Sequence, residues 1–574
     1  MLGFEGQAYW AWIILLLGAV SAIQNPIIPG FNPDPAILRV GNEFFITTSS
    51  FEFYPGFPIY RSSDLQNWQL FSHALTRPSQ IQLFGTPTSA GVWAPSLSYI
   101  NGRFYIVCTT RWTYDPVAKV WPRTAWFSST DMKEWSDPTW ADPWGIDPQL
   151  FQDHKTNKTY LNIMAPNDNK DRLWGISQCE VDLVSGRCIG KYRSLWNGTL
   201  PHDKSARPEG PKMFFRHPYY YLLIAEGGTD DLHRASIARS NSPEGPWLPA
   251  PNNPLMFNGA YGFNNLTVQS TGHADFVETS DGKWYASFIA RRKVHGSSSS
   301  PLGRETFLTT VHWEDHWPIL NDGKPIMLSD PNTDNDSQRT SRPQASFVDR
   351  FDGPSLHPEW YRLRTPYSET FKLGSRKDTH DKGLRLVPNV FSLSDRDQPA
   401  ALLRKQKSLN MTFTAHLQPI ESALQYKQSV GISAYLSEFQ HQDFGVRRCG
   451  NATGLCVYTT LMRNRTSEDT EIPLNSTTAR DLALEIRATP TMYSFNFITY
   501  SNHRGAGGAG QKFHVASIDS SWLAFAPSGW FVFTGASFAL FASGNGEPWP
   551  YDSPDVGFLK VEETYGLDYR ENYQ

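Results

Sequence analysis

Five segments with the same layout recur at nearly constant spacing along the first half of the chain. They begin at Asp34, Ala94, Asp147, Glu209 and His273, so that successive starts lie 60, 53, 62 and 64 residues apart. Each reads as a short apolar strand, a tight turn rich in Gly, Asn, Asp or Pro, and a second strand rich in aromatic and β-branched residues. Strand pairs repeated at such a spacing predict one small sheet per unit, arranged radially about an axis.

Further strand signals lie between these segments. YRSSDLQNW ends at Trp68, FSSTDMKEW ends at Trp135, and a looser copy, SNSPEGPW, ends at Trp247. Each predicts an outer strand pair with a packing tryptophan, which brings the unit to four strands. The sequence therefore predicts a five-bladed β-propeller over residues 23–326, whereas a β-sandwich would not give five comparable units at this period.

The repeat ends before a second region of different character. Residues 327–345 are polar and contain proline, which is typical of a linker. Residues 346–574 alternate apolar and polar positions in stretches such as LALEIRA and SFNFITY, and they predict one β-sandwich of jelly-roll type. The whole chain is thus predicted to be all-β. From its residues alone, the second domain could equally be a carbohydrate-binding module or a stabilising element.

Charge and composition limit the kinds of partner. The 52 Lys and Arg are dispersed among 56 Asp and Glu, giving a formal net charge of -4. A nucleic-acid partner is not expected, because such proteins usually carry a basic domain or stripe. Aromatic residues make up 14% of the chain, with 20 Trp, and this suits a protein that stacks rings against the apolar faces of a ligand.

Residues 1–22 predict a secretory signal peptide. An apolar core from Trp10 to Val20 is followed by the small residues Ser21 and Ala22, and it is short for a bilayer-spanning helix. No Lys or Arg precedes that core, so an uncleaved anchor is the alternative. With cleavage, we expect a secreted, extracellular protein without a membrane partner.

Cysteines and glycosylation motifs agree with export. Cys179 and Cys188 flank EVDLVSGR, and Cys449 and Cys456 flank GNATGL, which predicts two local disulfides and leaves Cys108 unpaired. A metal site is the weaker alternative for these cysteines. Eight Asn-x-Ser/Thr motifs predict a glycoprotein: Asn157, Asn197, Asn265, Asn335, Asn410, Asn451, Asn464 and Asn475.

The first position of each repeat should face the propeller axis, because the innermost strand of every blade lines it. Asp34, Asp147, Glu209 and His273 would then converge there, with Trp93 beside Ala94. Pro35 favours an extended backbone at Asp34, although Asn-Pro-Asp-Pro is also ordinary turn chemistry. Three acids at one phase favour a functional interpretation.

Three adjacent carboxyl groups fit glycoside hydrolysis. That reaction needs one carboxylic acid to protonate the leaving oxygen and one carboxylate to activate water or attack carbon. A third carboxylate can keep the acid protonated, since like charges raise each other's pKa.

The motifs GFNPDPAIL, GVWAPSL, WGIDPQLF, RPEGPKMF, TGHADFV and PLGRETF, in this order, resemble glycoside hydrolase family 43. The resemblance is to its β-xylosidase and α-L-arabinofuranosidase branch with a C-terminal β-sandwich, and it extends from Asn25 to about residue 565. It implies that Asp34 is the general base, Glu209 the general acid, and Asp147 the group that orients Glu209 and raises its pKa. It also implies inversion at the anomeric carbon, with the carboxyl groups of Asp34 and Glu209 about 6.5 to 9.5 Å apart.

The same resemblance suggests substrate-binding and metal residues. Phe51 and Trp93 would form walls of the sugar pocket, and Arg304 would bind sugar hydroxyls. Phe51 could instead be a core residue, and Arg304 could belong to a surface ion pair. His273 would face a central calcium ion or water cluster, although a lone histidine is more often structural. Lys212 stands where a neutral residue is expected.

The predicted function is a secreted, inverting exo-glycosidase that releases terminal β-1,4-linked xylose from xylo-oligosaccharides or xylan fragments. No cofactor is expected beyond a possible structural Ca²⁺. An α-L-arabinofuranosidase acting on arabinoxylan, or an enzyme with both activities, is the alternative, since the same acids serve both. A non-catalytic carbohydrate-binding propeller is disfavoured by the acid triplet. The sandwich is expected to lend a loop to one side of the pocket, and the oligomeric state stays open.

Overall fold

A computed structural model of the chain describes residues 23–112, 122–166, 174–201, 205–294, 300–328, 345–374, 382–420, 424–450, 454–464, 466–474, 481–500, 510–524, 532–549 and 556–565. The predicted signal peptide, 1–22, and most of the predicted linker, 327–345, lie outside these residues. Two short 3-10 helices, Asn321–Gly323 and Ser520–Leu523, accompany the strands. Within the described ranges, no helix has the length and apolar character needed to cross a membrane.

The first half of the chain forms five four-stranded antiparallel sheets, which confirms the predicted five-bladed propeller. Blade by blade, the sheets have the orders β1-β2-β4-β5, β6-β7-β8-β9, β10-β11-β12-β13, β14-β15-β16-β17 and β18-β19-β20-β21. The strands are β1 (Ala36–Val40), β2 (Glu43–Thr47), β3 (Phe53–Tyr54), β4 (Gly56–Ser62), β5 (Gln69–Leu75), β6 (Gly91–Ile100), β7 (Arg103–Arg111), β8 (Arg123–Ser129), β9 (Thr139–Trp140), β10 (Ile146–Asp153), β11 (Lys158–Pro166), β12 (Trp174–Glu180), β13 (Arg193–Trp196), β14 (Glu209–Arg216), β15 (Tyr219–Glu226), β16 (Arg234–Ser240), β17 (Leu248–Pro249), β18 (Val268–Glu278), β19 (Trp284–Arg292), β20 (Glu305–Glu314) and β21 (Trp317–Leu320).

The first strand of each blade lines the axis. β1 contacts β6 and β18, β10 contacts β6 and β14, and β14 contacts β18, so the five inner strands close a ring. Apolar clusters fill the spaces between neighbouring blades; Phe214, Phe276 and Trp313, for example, pack between the fourth and fifth. This ring fixes where the first residues of the repeats can point.

The second half forms the predicted β-sandwich. One sheet has the order β24-β25-β36-β27-β32-β33-β34, with β22 paired to β36, and the other has the order β26-β35-β28-β29-β30-β31. Their inner faces bury Phe413, Phe444, Phe495 and Phe538 in one apolar core. The strands are β22 (Ala345–Asp349), β23 (Arg362–Leu363), β24 (Phe371–Leu373), β25 (Leu384–Leu386), β26 (Ala400–Lys405), β27 (Met411–Leu417), β28 (Ser429–Ser437), β29 (Gln440–Arg448), β30 (Leu455–Arg463), β31 (Thr466–Pro473), β32 (Leu482–Ala488), β33 (Met492–Thr499), β34 (Gln511–Asp519), β35 (Ser537–Ser543) and β36 (Val556–Tyr565).

The two domains share a packed interface. β3 of the propeller pairs with β23 of the sandwich, and Phe31 and Phe53 pack with Tyr361, Leu403 and Phe541. Because Phe31 lies three residues before Asp34, this interface reaches directly behind the first axial residue.

One of the two predicted disulfides is present. Cys449 is bonded to Cys456, whereas Cys179 and Cys188 are free thiols, so the second predicted bridge is wrong. Cys188 forms an isolated β-bridge with Val181, and its thiol lies beside that of Cys179 without a bond to it. Cys108 is free and buried, as expected.

Candidate active site

The axial residues lie on an unusual backbone conformation that recurs in every blade. The φ angle is positive at Asp34 (58°), Ala94 (41°), Asp147 (53°), Gly210 (60°) and His273 (48°). In the second to fifth blades, the pairing between the first two strands shifts register at the residue with positive φ. The predicted extended conformation of Asp34 is therefore wrong, because a left-handed turn precedes β1 and turns the side chain away from the strand.

The register also corrects the predicted position of Glu209. Gly210, not Glu209, occupies the place that Asp34 and Asp147 hold in their blades, so Glu209 enters one residue earlier. A Cβ atom on Gly210 would lie 2.8 Å from Nε2 of His273, so only a residue without a side chain fits there. Glu209, the predicted general acid, therefore occupies a different backbone position in its blade from that of Asp34 and Asp147 in theirs.

Asp34 is buried and surrounded by groups that favour its charged form. Its Oδ1 accepts a hydrogen bond from Nη1 of Arg304 at 3.1 Å and lies 3.4 Å from Nδ1 of His273, and its Oδ2 accepts one from Oγ of Ser49 at 2.5 Å. Burial opposes ionisation, but Arg304, His273 and Ser49 together hold the pKa of Asp34 below its ordinary value. Asp34 is therefore a carboxylate at neutral pH.

Glu209 and Asp147 have the opposite tendency. Burial, and then the charge of Asp34, raises the pKa of Glu209 to about 7, against the influence of Arg304 and Arg207. Burial, followed by Glu209 and Asp34, raises the pKa of Asp147 well above its ordinary value. Because Glu209 and Asp147 titrate as a pair, at least one of them keeps its proton at neutral pH.

Lys212 compensates part of the negative charge around the axis. Its ammonium donates a hydrogen bond to Oγ of Ser96 and is buried. Burial lowers the pKa of Lys212, while Asp275, Asp147 and Asp34 act in the opposite direction. The charge of Lys212 thus partly offsets that of these three carboxyl groups.

The two aromatic residues predicted to wall the sugar pocket differ in exposure. Phe51 is 1% exposed and belongs to an apolar core cluster, which favours the core alternative, whereas Trp93 is partly exposed. The ring of Phe533, from the sandwich, has its centroid 6.4 Å from that of Phe51 and 5.9 Å from that of Trp93. The guanidinium of Arg304 lies 5.4 Å from the same ring, and its Nε has no hydrogen-bond partner among the described residues. Arg304 is buried, which excludes the surface ion pair.

His273 lies beside Asp34 at the axis, and its buried Nε2 has no hydrogen-bond partner among the described residues. Calcium prefers six to eight oxygen ligands. No group of three His, Cys, Asp or Glu side chains that could hold a metal ion occurs in the described ranges. Burial lowers the pKa of His273 to about 3, so its ring is neutral, with Nδ1 towards Asp34 and Nε2 next to Gly210. The described residues thus give no support for Ca²⁺ at His273, and the calcium ion or water cluster stays a prediction.

Three residues near the site were not identified from the sequence. Ser49 could have been found, since the pairing of Ala36 with Thr47 in the first hairpin puts Ser49 opposite Asp34. Phe533 gave no signal in the sequence beyond the expectation of a sandwich loop. No motif marked His233, whose pKa burial lowers to about 4 and whose Nδ1–H donates to the backbone carbonyl oxygen of Ser270 at 3.0 Å.

Comparison with known proteins agrees with this geometry. Glycosyl hydrolases family 43 matches residues 23–318, and the Beta xylosidase C-terminal Concanavalin A-like domain matches residues 348–549. The chain is 31% identical to a non-reducing end alpha-L-arabinofuranosidase of Bacteroides ovatus, over 93% of this chain and 94% of that protein. It is 33% identical to a beta-xylosidase of Bacillus subtilis, over 73% of this chain and 75% of that protein.

Solved structures give the same result. The xylan beta-1,4-xylosidase from Bacillus halodurans C-125 superposes with a TM-score of 0.81 at 27% identity, covering 94% of this chain and 100% of that one. Both domains, the order of the axial motifs and the acid-rich axis are accounted for together. The chain belongs to glycosyl hydrolase family 43 and is a glycoside hydrolase of the β-xylosidase and α-L-arabinofuranosidase type.

Proposed function

We propose that this protein is a secreted, inverting exo-glycosidase that releases terminal β-1,4-linked xylose from xylo-oligosaccharides and xylan fragments. The observation that carries the proposal is the difference in protonation between two neighbouring carboxyl groups. The pKa of Asp34 is held low by Arg304, His273 and Ser49, and that of Glu209 is raised to about 7. One base and one acid are thus available at neutral pH, as glycoside hydrolysis requires.

The reaction follows from these two states. Asp34 accepts a proton from water, whose oxygen attacks the anomeric carbon on the face opposite the leaving group. Glu209 gives its proton to the glycosidic oxygen as the bond from that oxygen to the anomeric carbon breaks. The products are the free sugar, with inverted configuration, and the shortened oligosaccharide, while Glu209 is left ionised and Asp34 protonated.

The surroundings of the acids support action on a terminal sugar. The partly exposed Trp93 packs against Phe533, which lies beside Arg304, and Phe533 comes from the sandwich, so both domains contribute to this wall. Aromatic rings pack well against the apolar faces of a sugar. Nε of Arg304 is a buried donor without a described partner, and a substrate hydroxyl that reached it would satisfy it. A wall of this kind beside the acids would favour a chain end over the middle of a polymer.

An α-L-arabinofuranosidase is the second candidate. The Bacteroides ovatus relative named for that activity aligns over 93% of this chain. The acids would act in the same way on either sugar, so the choice depends on the shape of the pocket. A non-catalytic binding protein would have no need for a base and an acid in opposite protonation states.

The test is hydrolysis of an aryl β-D-xyloside and an aryl α-L-arabinofuranoside by the full-length protein and by Asp34→Asn and Glu209→Gln. We expect xyloside hydrolysis to be faster and each variant to lose about 10²- to 10⁴-fold in kcat. Asp281→Asn, which changes an exposed carboxylate, is the matched control and should retain activity. Parent-like activity in either axial variant would reject the assignment, and faster hydrolysis of the arabinofuranoside would favour the second candidate.

Two further measurements address inversion and secretion. Proton NMR during hydrolysis of a β-xyloside should show α-xylose as the first product; β-xylose would contradict inversion. Mass spectrometry of protein recovered from the culture medium should give an N-terminus at Ile23, and protein that is found only in cells would contradict secretion.

A further inference from the structure

A cavity of about 460 Å³ lies between the two domains, and none of the three axial acids lines it. Asn32, Tyr60 and Trp68 form part of its propeller wall, and Glu359 and Lys405 form part of its sandwich wall. Interfaces between domains are common places for ligand sites. We call this space the interdomain cavity.

Positive charge exceeds negative charge along the cavity. Arg404, Lys405 and Lys407 line it, whereas Glu359 is the carboxylate among its lining residues. Both oxygens of Glu359 are already used, since Oε2 accepts from Nη2 of Arg404 at 2.9 Å and Oε1 from Nζ of Lys407 at 2.6 Å. Glu563 is buried behind the wall and pairs with Arg404. Glu359 and Glu563 thus pair with Arg404 and Lys407, and neither forms an ion pair with Lys405.

Lys405 is buried among neutral groups. Its Nζ donates to Oδ1 of Asn32 at 2.9 Å and lies 4.3 Å from the ring centroid of Phe31 and 5.2 Å from that of Tyr361. No described carboxylate forms an ion pair with it. A buried ammonium without a negative partner is unfavourable, because burial removes its hydration.

The neighbouring titratable groups do not supply the missing charge. Burial, and then Lys407, lowers the pKa of Lys405 to about 7, with Glu359 acting in the opposite direction. Burial lowers the pKa of His73 to about 3, and burial raises the pKa values of Tyr60 and Tyr361. These three side chains are neutral near pH 7, so Lys405 is about half protonated and would be stabilised by an anion.

The remaining walls are aromatic. Tyr60, Trp68, Phe347, Tyr361 and Tyr565 line the cavity. Such rings provide apolar faces against which a ring-shaped ligand can pack. A ligand that combines a carboxylate with a sugar ring would match both the charge and the surface of the cavity.

We propose that the interdomain cavity binds a small carboxylate ligand, of the sugar-acid class, whose carboxylate pairs with Lys405. This site is separate from the axial acids, and binding there does not depend on the hydrolytic activity of those acids. Binding would complete the charge balance of the cavity and would draw a proton onto Lys405.

The experiment is isothermal titration calorimetry on the full-length protein at pH 7, in two buffers of different ionisation enthalpy. D-Glucuronate, acetate and D-glucose separate the carboxylate from the ring. We expect D-glucuronate to bind with uptake of roughly half a proton per site, since Lys405 is half protonated before binding. Acetate should bind more weakly and D-glucose not at all. Equal affinity for D-glucose and D-glucuronate would overturn the proposal, and equal affinity for acetate would overturn the sugar-acid class.

Two substitutions at Lys405 make the test specific. Lys405→Met should weaken D-glucuronate binding at least tenfold. Lys405→Arg should keep binding but abolish proton uptake, because a guanidinium is always charged. Lys283→Met, which removes an exposed lysine paired with Asp281, is the control and should bind as the parent does.

Other results would reject the assignment to this cavity. Unchanged binding by Lys405→Met, or unchanged proton uptake by Lys405→Arg, would do so. If Lys405→Met does not fold, the proton uptake of Lys405→Arg still shows whether Lys405 is the group that pairs with the ligand. Displacement of D-glucuronate by excess D-xylose would assign the binding to the axial site instead, and thus leave the proposed hydrolytic function unaffected.

Discussion

The propeller axis and the interdomain cavity both bury several ionisable groups, but the charge in excess is opposite. At the axis, carboxyl groups outnumber their cations, and the pKa values of Glu209 and Asp147 rise. In the cavity, cations outnumber carboxylates, and the pKa of Lys405 falls. In each region, burial shifts the pKa of a group without an oppositely charged partner towards its neutral form. Specific contacts then decide which group stays ionised.

The axis differs in one further respect, since its contacts separate two chemically similar groups. Asp34 has Arg304 and Ser49 as direct partners, whereas the described structure shows no such direct partner on Glu209. This asymmetry produces a base and an acid from two carboxyl groups. The cavity contains no comparable pair, which is why it suits binding and the axis suits catalysis.

Removal of Arg304 should have the largest effect on this comparison. Arg304→Met takes away the cation beside Asp34 and a donor for the substrate, so kcat/KM should fall by about 10²- to 10³-fold. The pKa of Asp34 should rise, and because activity needs its ionised form, the acidic limb of the pH profile should move to higher pH. The measurement is kcat/KM from pH 4 to 9, with Arg103→Met, an exposed arginine, as control. An unmoved acidic limb would contradict the role given to Arg304.

Asp147→Asn should have the next largest effect. Asp147 and Glu209 share the buried axis and repel each other when ionised, so the neutral amide should lower the pKa of Glu209. Activity needs protonated Glu209, and the basic limb should therefore move to lower pH, with about tenfold less activity than the parent at pH 8. A basic limb at the parent position would show that Asp147 does not influence Glu209.

The sequence predicts some features of the axis and not others, depending on whether they follow from the repeat period or from the register of a single strand. The repeat period was enough to place Asp34, Asp147 and Glu209 together, because blade geometry repeats. It could not show that Gly210 occupies the turn and that Glu209 precedes it, since a bulge shifts the register by a single residue. The contact of Ser49 with Asp34 could have been predicted from the register of the first hairpin alone.

Contacts between the domains were much harder to predict. Phe533, from a loop, reaches Trp93, and Lys405, from β26, reaches Asn32; both contacts join residues hundreds of positions apart in the sequence. No local pattern marks either residue, since a buried lysine and a loop phenylalanine look ordinary until the docking of two domains is known. The fold of each domain follows from period and alternation, whereas their mutual contacts follow from packing.

A buried carboxyl group on the same interface allows a smaller prediction about stability. Glu52 accepts from the backbone N–H of Ser89 at 2.8 Å, and its Oε1 has no partner among the described residues. Burial, helped by nearby Glu438, raises the pKa of Glu52 to about 8, against the effect of its hydrogen bonds. The folded form therefore holds a proton that the unfolded chain loses near pH 4.5, and stability should fall as pH rises from about 4.5 to about 8.

Glu52→Gln removes this titration while keeping the shape of the side chain. The variant should match the parent in Tm at pH 5 and exceed it by a few degrees at pH 9, as measured by calorimetry. Glu43→Gln, an exposed glutamate, is the control and should show no such difference. A parent whose Tm is higher at pH 9 than at pH 5, with the same trend in Glu52→Gln, would contradict a protonated Glu52.

Lys405→Met should have the smallest effect on catalysis, and it tests how independent the two regions are. Oδ1 of Asn32, two residues before Asp34, accepts from Lys405, from Tyr60 at 2.9 Å and from Thr48 at 3.4 Å. Losing one of three donors should reduce kcat/KM no more than about threefold, which is the scale of one weak hydrogen bond. Because charge at the axis is unchanged, both limbs of the pH profile should stay in place. The double variant with Asp147→Asn should lose the product of the two single effects, since the sites share no partner. A loss that departs from this product by more than about threefold would mean that the cavity controls the acids and that the two regions act as one.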